Sequence, residues 1–135
     1  MRQGRYTIEF KNKPSVVEWS AVAGQKESEG PLGNLFDMII TDATDGKDTW
    51  EQAESELQKT AIGVLLDKSG VKESDVDIIF AGDLLNQCSG TGFGIRNYNI
   101  PFSGVYGACS TSVLAMINAA IGVNSGVFKR AISST

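Results

Sequence analysis

The stretch that decides the fold is FSGVYGACSTSVLAMINAAIGV, residues 102–123. Residues 102–106 read as a short buried strand opened by Ile100-Pro101. Gly107-Ala108-Cys109-Ser110-Thr111-Ser112 then forms a tight strand-to-helix turn, its small residues permitting a sharp change of direction. The spacing predicts a helix over 112–123 carrying Val113, Leu114, Ala115, Met116, Ile117, Ala119, Ala120 and Ile121. A helix apolar nearly all round is expected at the centre of a larger protein. Strand, turn and buried helix together are a unit of α/β architecture.

Working outward, Gly126 ends this helix and residues 127–133 read as a further strand. On the other side, residues 76–81 (VDIIFA) are nearly all apolar, as in a parallel strand covered on both faces. Residues 89–97 read as a weak helix, diluted by Gly90, Gly92 and Gly94. Before the 76–81 strand comes the clearest helix, capped by Asp48 or Thr49 and stopped by Gly70. Trp50, Ala53, Leu57, Ala61, Val64 and Leu65 are expected on its buried face. Glu51, Glu54 and Glu56 suit its positive N-terminal end. Nearer the N-terminus, residues 6–10 and 16–23 read as strands and residues 25–33 and 42–46 as loops. Residues 35–40 fit a short helix or a strand equally.

Helix 112–123 needs neighbours on every side, and the chain offers few elements to cover it. The 135 residues are therefore expected to be part of a larger domain, the alternative being cover from dimer contacts.

Composition narrows the chemistry. Hydrophobic residues make up 41% and charged residues 21%, which is the balance of a folded globular chain rather than a disordered one. The net charge of -4 argues against a nucleic-acid partner, because phosphate contacts need a clustered basic surface. No apolar run reaches the ~20 residues of a membrane span, and no secretory signal is expected, so attachment to a membrane would come through a partner. Two cysteines, Cys88 and Cys109, make no disulfide framework and suit a reduced compartment. With no histidine, the chain cannot supply an imidazole base, and zinc is not expected.

Cys109 then admits two roles. At the N-terminal end of a buried helix a thiolate is favoured by the dipole and by backbone N–H groups, as at a nucleophile elbow. It is equally a small apolar residue suited to burial. Cys88 lacks that setting and reads as an ordinary loop cysteine. Asp83, Asn86 and Gln87 follow the 76–81 strand, at the sheet edge where α/β folds bind ligands. They read either as ligand contacts or as caps for loop backbone groups. The glycines of GTGFG (90–94) do not match a dinucleotide fingerprint and read as helix packing.

Four segments carry a resemblance: AGDLLNQ (81–87), IPFSGVYGACSTS (100–112), EGPLGNLFD (29–37) and DTWEQAE (48–54). Together they resemble the stage V sporulation protein AD family, of the thiolase-like superfamily, from residue 5 to the end. The resemblance implies an αβαβα-layered fold built of two similar halves, with this chain as the N-terminal half and the second half missing. It implies a non-catalytic component of the SpoVA machinery, which moves dipicolinic acid with calcium into the spore and releases it in germination. Cys109 then matches the superfamily nucleophile, and Asp83, Asn86, Gln87, Ser110 and Thr111 join it as ligand-binding residues. The amides that open helix 112–123 suit a ligand carboxylate. No cofactor and no direct protein metal site are implied; calcium would arrive with dipicolinate, which supplies several of its oxygens. The implied partners are other SpoVA membrane proteins, with a homo-oligomer allowed, and the implied location is the forespore cytoplasm, peripheral to the spore inner membrane. The alternative from the same superfamily is an acyltransferase or condensing enzyme with Cys109 acylated. A third role is a structural adaptor for the membrane subunits.

Overall fold

A computed structural model describes residues 2–135 and shows a mixed α/β chain. Its centre is a three-stranded parallel sheet in the order β6-β5-β7, where β5 is Ile78–Ala81, β6 is Phe102–Gly104 and β7 is Ala131–Ser134. Ala81 pairs with Gly104 on one side and Ser134 on the other, so all three strands end at one carboxyl edge. Helix α3 (Ser89–Ile95) crosses from β5 to β6, and α4 (Thr111–Asn124) crosses from β6 to β7. Parallel neighbours require such crossovers.

Strand alternation sorts the two faces of the sheet. Ile79, Ala81 and Ile132 turn into a core with Ile62, Val76, Ile95 and Ile100. Helix α2 (Trp50–Ser69) and α3 cover that side, which accounts for the complete burial of Ile79 and Ala81. On the other side Phe80 meets Phe128 edge-on at 6.1 Å. Phe128 lies so close to Gly122 of α4 that a Cβ there would come within 2.3 Å of its ring.

The N-terminal part is lighter. Arg2–Gln3 (β1) and Thr7–Ile8 (β2) form an antiparallel hairpin turning at Gly4, in place of one strand over 6–10. Val22–Gly24 (β3) pairs in parallel with Met38–Ile40 (β4). The strand expected over 16–23 is thus reduced to its last residues, because residues 16–21 find no neighbouring strand. The 25–33 loop contains one helical turn, Gln25–Ser28 (α1), and the undecided 35–40 segment resolves into a turn followed by β4.

Helix α2 starts and stops as its sequence predicts. Thr49 Oγ1 accepts the Gln52 N–H at 3.3 Å, and Gly70 ends the helix in the left-handed region at φ 64°. Its buried positions are Ala53, Gln58 and Ile62, and Trp50 is exposed. The core stripe is therefore turned by about one residue from the expected face. The displaced Ala61 side meets the N-terminal segment, where Ser20 Oγ donates to Ala61 O at 2.7 Å. Asp77 clamps the two later strands together by accepting the N–H groups of Lys129 and Arg130 at 2.6 and 3.0 Å. Those two bonds hold its carboxyl below the ordinary carboxylate range.

Candidate functional site

The carboxyl edge of the sheet is organised around the backbone that follows β6. Val105 N–H donates to Ala81 O at 2.9 Å, carrying the ladder one residue past the strand. Gly82 lies directly beneath this segment. A Cβ on Gly82 would stand 1.9 Å from Val105 O and 2.9 Å from Thr111 Cγ2, so only glycine allows the two chain segments to meet. Cys88 Sγ donates to the same Val105 carbonyl at 3.6 Å and closes over Gly104. Cys88, expected as an ordinary loop cysteine, is thus a half-buried brace of the turn.

The turn itself is sharper than a simple helix start. Gly107 is followed by Ala108 at φ 49°, a left-handed conformation that costs a residue with a Cβ. Ala108–Ser110 forms one tight 3₁₀ turn, and α4 begins at Thr111. Thr111 holds the turn: its Oγ1 accepts the Gly107 N–H at 3.1 Å and donates to Ala108 O at 2.7 Å. Ser110 Oγ donates to Gly107 O at 2.6 Å. Cys109 stands exposed at the apex of this turn rather than packed among the core residues.

The geometry gives several of the expected ligand contacts partners within the chain. Thr111 is 1% exposed and its hydroxyl is committed to the turn, so it shapes the elbow rather than reaching outward. The amides of Ser110 and Thr111, just ahead of the expected helix start, bond back to Gly107 O and Ala108 O. Asp83 is 2% exposed and accepts from Asn86 N at 2.7 Å, Thr91 N at 2.9 Å and Thr91 Oγ1 at 3.0 Å. With its oxygens enclosed and paired, Asp83 ties the loop to α3, the capping role that was the alternative to ligand contact. Glu54 of α2 grips the same loop from outside, accepting Leu84 N at 3.0 Å and Leu85 N at 3.4 Å.

Asn86 and Gln87 remain on the surface. Gln87 adopts φ 59°, and its carbonyl accepts the Asp83 N–H at 2.7 Å, which turns the loop back on itself. Asn86 lines a cleft between α2 and α3. The structure therefore joins Cys109, Ser110 and Thr111 in one turn and places Asn86 in a different recess.

Sequence reasoning missed a second recess at the strand ends. Ser112 and Met116 of α4 face Ser133, Ser134 and Thr135 across a hollow of about 110 Å³. The signal was present: a run of hydroxyl residues at the carboxyl end of a parallel strand, where such sheets take ligands. Among the described residues no group of three or more His, Cys, Asp or Glu side chains is placed to hold a metal ion. None of their helices is long and apolar enough to cross a membrane.

Comparison with known proteins agrees with the family resemblance. The model of the family described as stage V sporulation protein AD matches residues 4–135. The stage V sporulation protein AD of Bacillus subtilis (strain 168) is 38% identical over 132 residues, which are 98% of this chain and 39% of that protein. The chain thus spans well under half the length of the relative it matches. It belongs to the stage V sporulation protein AD family, a family of sporulation proteins.

Proposed function

We propose that this member of the stage V sporulation protein AD family binds dipicolinic acid, as its calcium complex, without catalysing a reaction. In this reading the chain is the N-terminal half of a thiolase-like domain with αβαβα layering. It serves the SpoVA machinery in uptake by the spore and release in germination. It works in the forespore, held at the inner membrane through other SpoVA membrane proteins.

One observation supports binding above all. Cys109 is exposed on an elbow at the carboxyl edge of a parallel sheet, the edge where such sheets take ligands. The recess formed by Ser112, Ser133 and Ser134 offers O–H donors for a carboxylate at the same edge. Calcium enters bridged to dipicolinate, whose own oxygens fill much of its shell.

A specific feature favours a second reading, acyl transfer through Cys109. The left-handed Ala108 is the kind of backbone strain found beneath nucleophiles. One experiment separates the two, using the protein at its full natural length. Dipicolinate, with and without calcium, is titrated calorimetrically into the wild type and into the Cys109→Ser and Cys109→Trp variants. Each is also incubated with acyl-coenzyme A and weighed by mass spectrometry. Binding predicts that Cys109→Ser keeps its affinity to within about tenfold, the scale of one neutral hydrogen bond. It also predicts that Cys109→Trp loses binding and that no adduct forms. An acyl adduct on Cys109, absent from the Ser variant, with no dipicolinate binding by the wild type, would overturn the proposal.

A further inference from the structure

An open cleft of about 560 Å³ runs between α2 and α3. Its α2 wall extends from Glu51 to Lys59, about 12 Å of helix at a rise of ~1.5 Å per residue. Its floor is backbone. Gly90 and Gly94 of α3 lie against Ser55 of α2, and a Cβ on Gly94 would stand 2.6 Å from Ser55 O. Ser55 Oγ donates to Gly90 O at 2.8 Å and fixes that approach. The result is a trough along two packed helices, long enough for about four residues of extended chain at ~3.3 Å each.

The lining runs against the charge of the chain. Lys47, Lys59 and Arg96 stand with Glu51 and Glu56, so three cations less two carboxylates leave +1 in a protein of net charge -4. Glu56 is shared between two ammonium groups, Lys59 Nζ at 2.7 Å and Lys47 Nζ at 3.5 Å, and that cluster keeps one positive charge. Arg96 makes no ion pair among the described residues. Its guanidinium lies 5.5 Å from the centroid of Phe93, a ring that lines the trough and is 64% exposed. Exposed aromatic and arginine side chains side by side are the composition of protein interfaces. The interleaved Glu51 and Glu56 decide the kind of partner. A compact polyanion or a flat anionic membrane meets those carboxylates together with the cations. A chain segment can set its own carboxylates over the cations one at a time.

We propose that this trough is a docking groove for a short extended segment of a partner protein, in which acidic residues flank an apolar one. The apolar side chain covers Phe93, while its acidic neighbours meet Arg96 of the α3 wall and the Lys47–Lys59 pair on the α2 side. The groove shares no lining residue with the Cys109 turn and does not rest on the dipicolinate reading.

The test follows fluorescence anisotropy of a labelled peptide, Gly-Glu-Asp-Phe-Asp-Glu-Gly, with the protein at its full natural length and low ionic strength. A counterpart with lysine in place of every acidic residue, and vesicles of phosphatidylglycerol, are measured beside it. The acidic peptide is expected to bind, more weakly as salt is added. Arg96→Gln should weaken it by about tenfold, the scale of one charge-assisted hydrogen bond. The Lys47→Gln, Lys59→Gln double variant should weaken it by a similar factor, and Phe93→Ser by several-fold. Glu56→Gln should tighten it several-fold, because both ammonium groups lose their competing carboxylate; a residue that only braced α2 would weaken binding when replaced. No binding of the acidic peptide by the wild type would overturn the proposal, as would equal binding of the lysine counterpart or normal binding by Arg96→Gln. Vesicle binding that is lost in the same variants, without peptide binding, would assign the cleft to a membrane surface and overturn the protein segment.

Discussion

At the scale of single residues, the elbow depends on what glycine leaves out. In Gly82→Ala the new methyl would occupy the space of Val105 O, 1.9 Å away, and the Thr111 side chain blocks the other direction. Two backbone segments must separate, and overpacking of this kind costs about 1–3 kcal/mol. A urea titration should show a lower midpoint at unchanged slope; an unchanged midpoint would mean that Val105 yields freely. The two thiols offer a second measurement. Cys109 is exposed, whereas Cys88 is half-buried and bonded to Val105 O. In the protein at its full natural length, a mild alkylating agent is expected to label Cys109 first, with adducts located by peptide mass mapping. Faster labelling of Cys88 would show that the elbow is covered in the whole protein.

At the scale of elements, Asp77 joins the start of β5 to the residues that lead into β7, two bonds across more than fifty residues of chain. Its carboxyl titrates below the ordinary carboxylate range because the amides of Arg130 and Lys129 favour the charged form. A depressed folded value means that the stabilisation is complete above the ordinary carboxylate range. It is lost as the pH falls through the folded value. Stability should therefore decline on acidification below about pH 4. Asp77→Asn should show a shallower decline over that window, measured by denaturant midpoints at successive pH values. Equal slopes would remove Asp77 from the acid response. Elements of this kind divide by how far they were legible. The α2 cap, the Gly70 stop, β5 and the turn into α4 were readable, because each is written in a few adjacent residues. The strand expected over 16–23 was not, since a strand exists only where a partner lies beside it. The site divides in the same way: the exposure of Cys109 follows from a local turn. The enclosure of Asp83 depends on Thr91, eight residues away and brought back by α3. The cleft between α2 and α3 had no local signature, because its two walls meet only after the helices pack.

At the scale of the whole molecule, the distribution of apolar surface is the unusual feature. Helix α4 buries Thr111, Ala115 and Gly122, while Val113, Met116, Ile117 and Ile121 stand exposed. The sequence predicted a helix covered on all sides, and these 135 residues cover one side. Tyr106, Leu84 and Leu85 add further exposed apolar groups. A soluble surface tolerates scattered apolar residues but not a contiguous helical face of them. Each large side chain left in water forfeits roughly 1.5–3 kcal/mol of available stabilisation. The 135-residue chain on its own should therefore associate with itself or remain loosely folded. Sedimentation velocity over a range of concentrations checks the first outcome, and binding of a hydrophobic dye with a broad thermal transition checks the second. Replacing Val113, Met116 and Ile121 together with polar residues should return the isolated chain toward a monomer, since these positions carry exposure and little of the core. A wild-type chain that sediments as a monomer at all concentrations and unfolds in one sharp transition would show that the exposed face of α4 needs no cover.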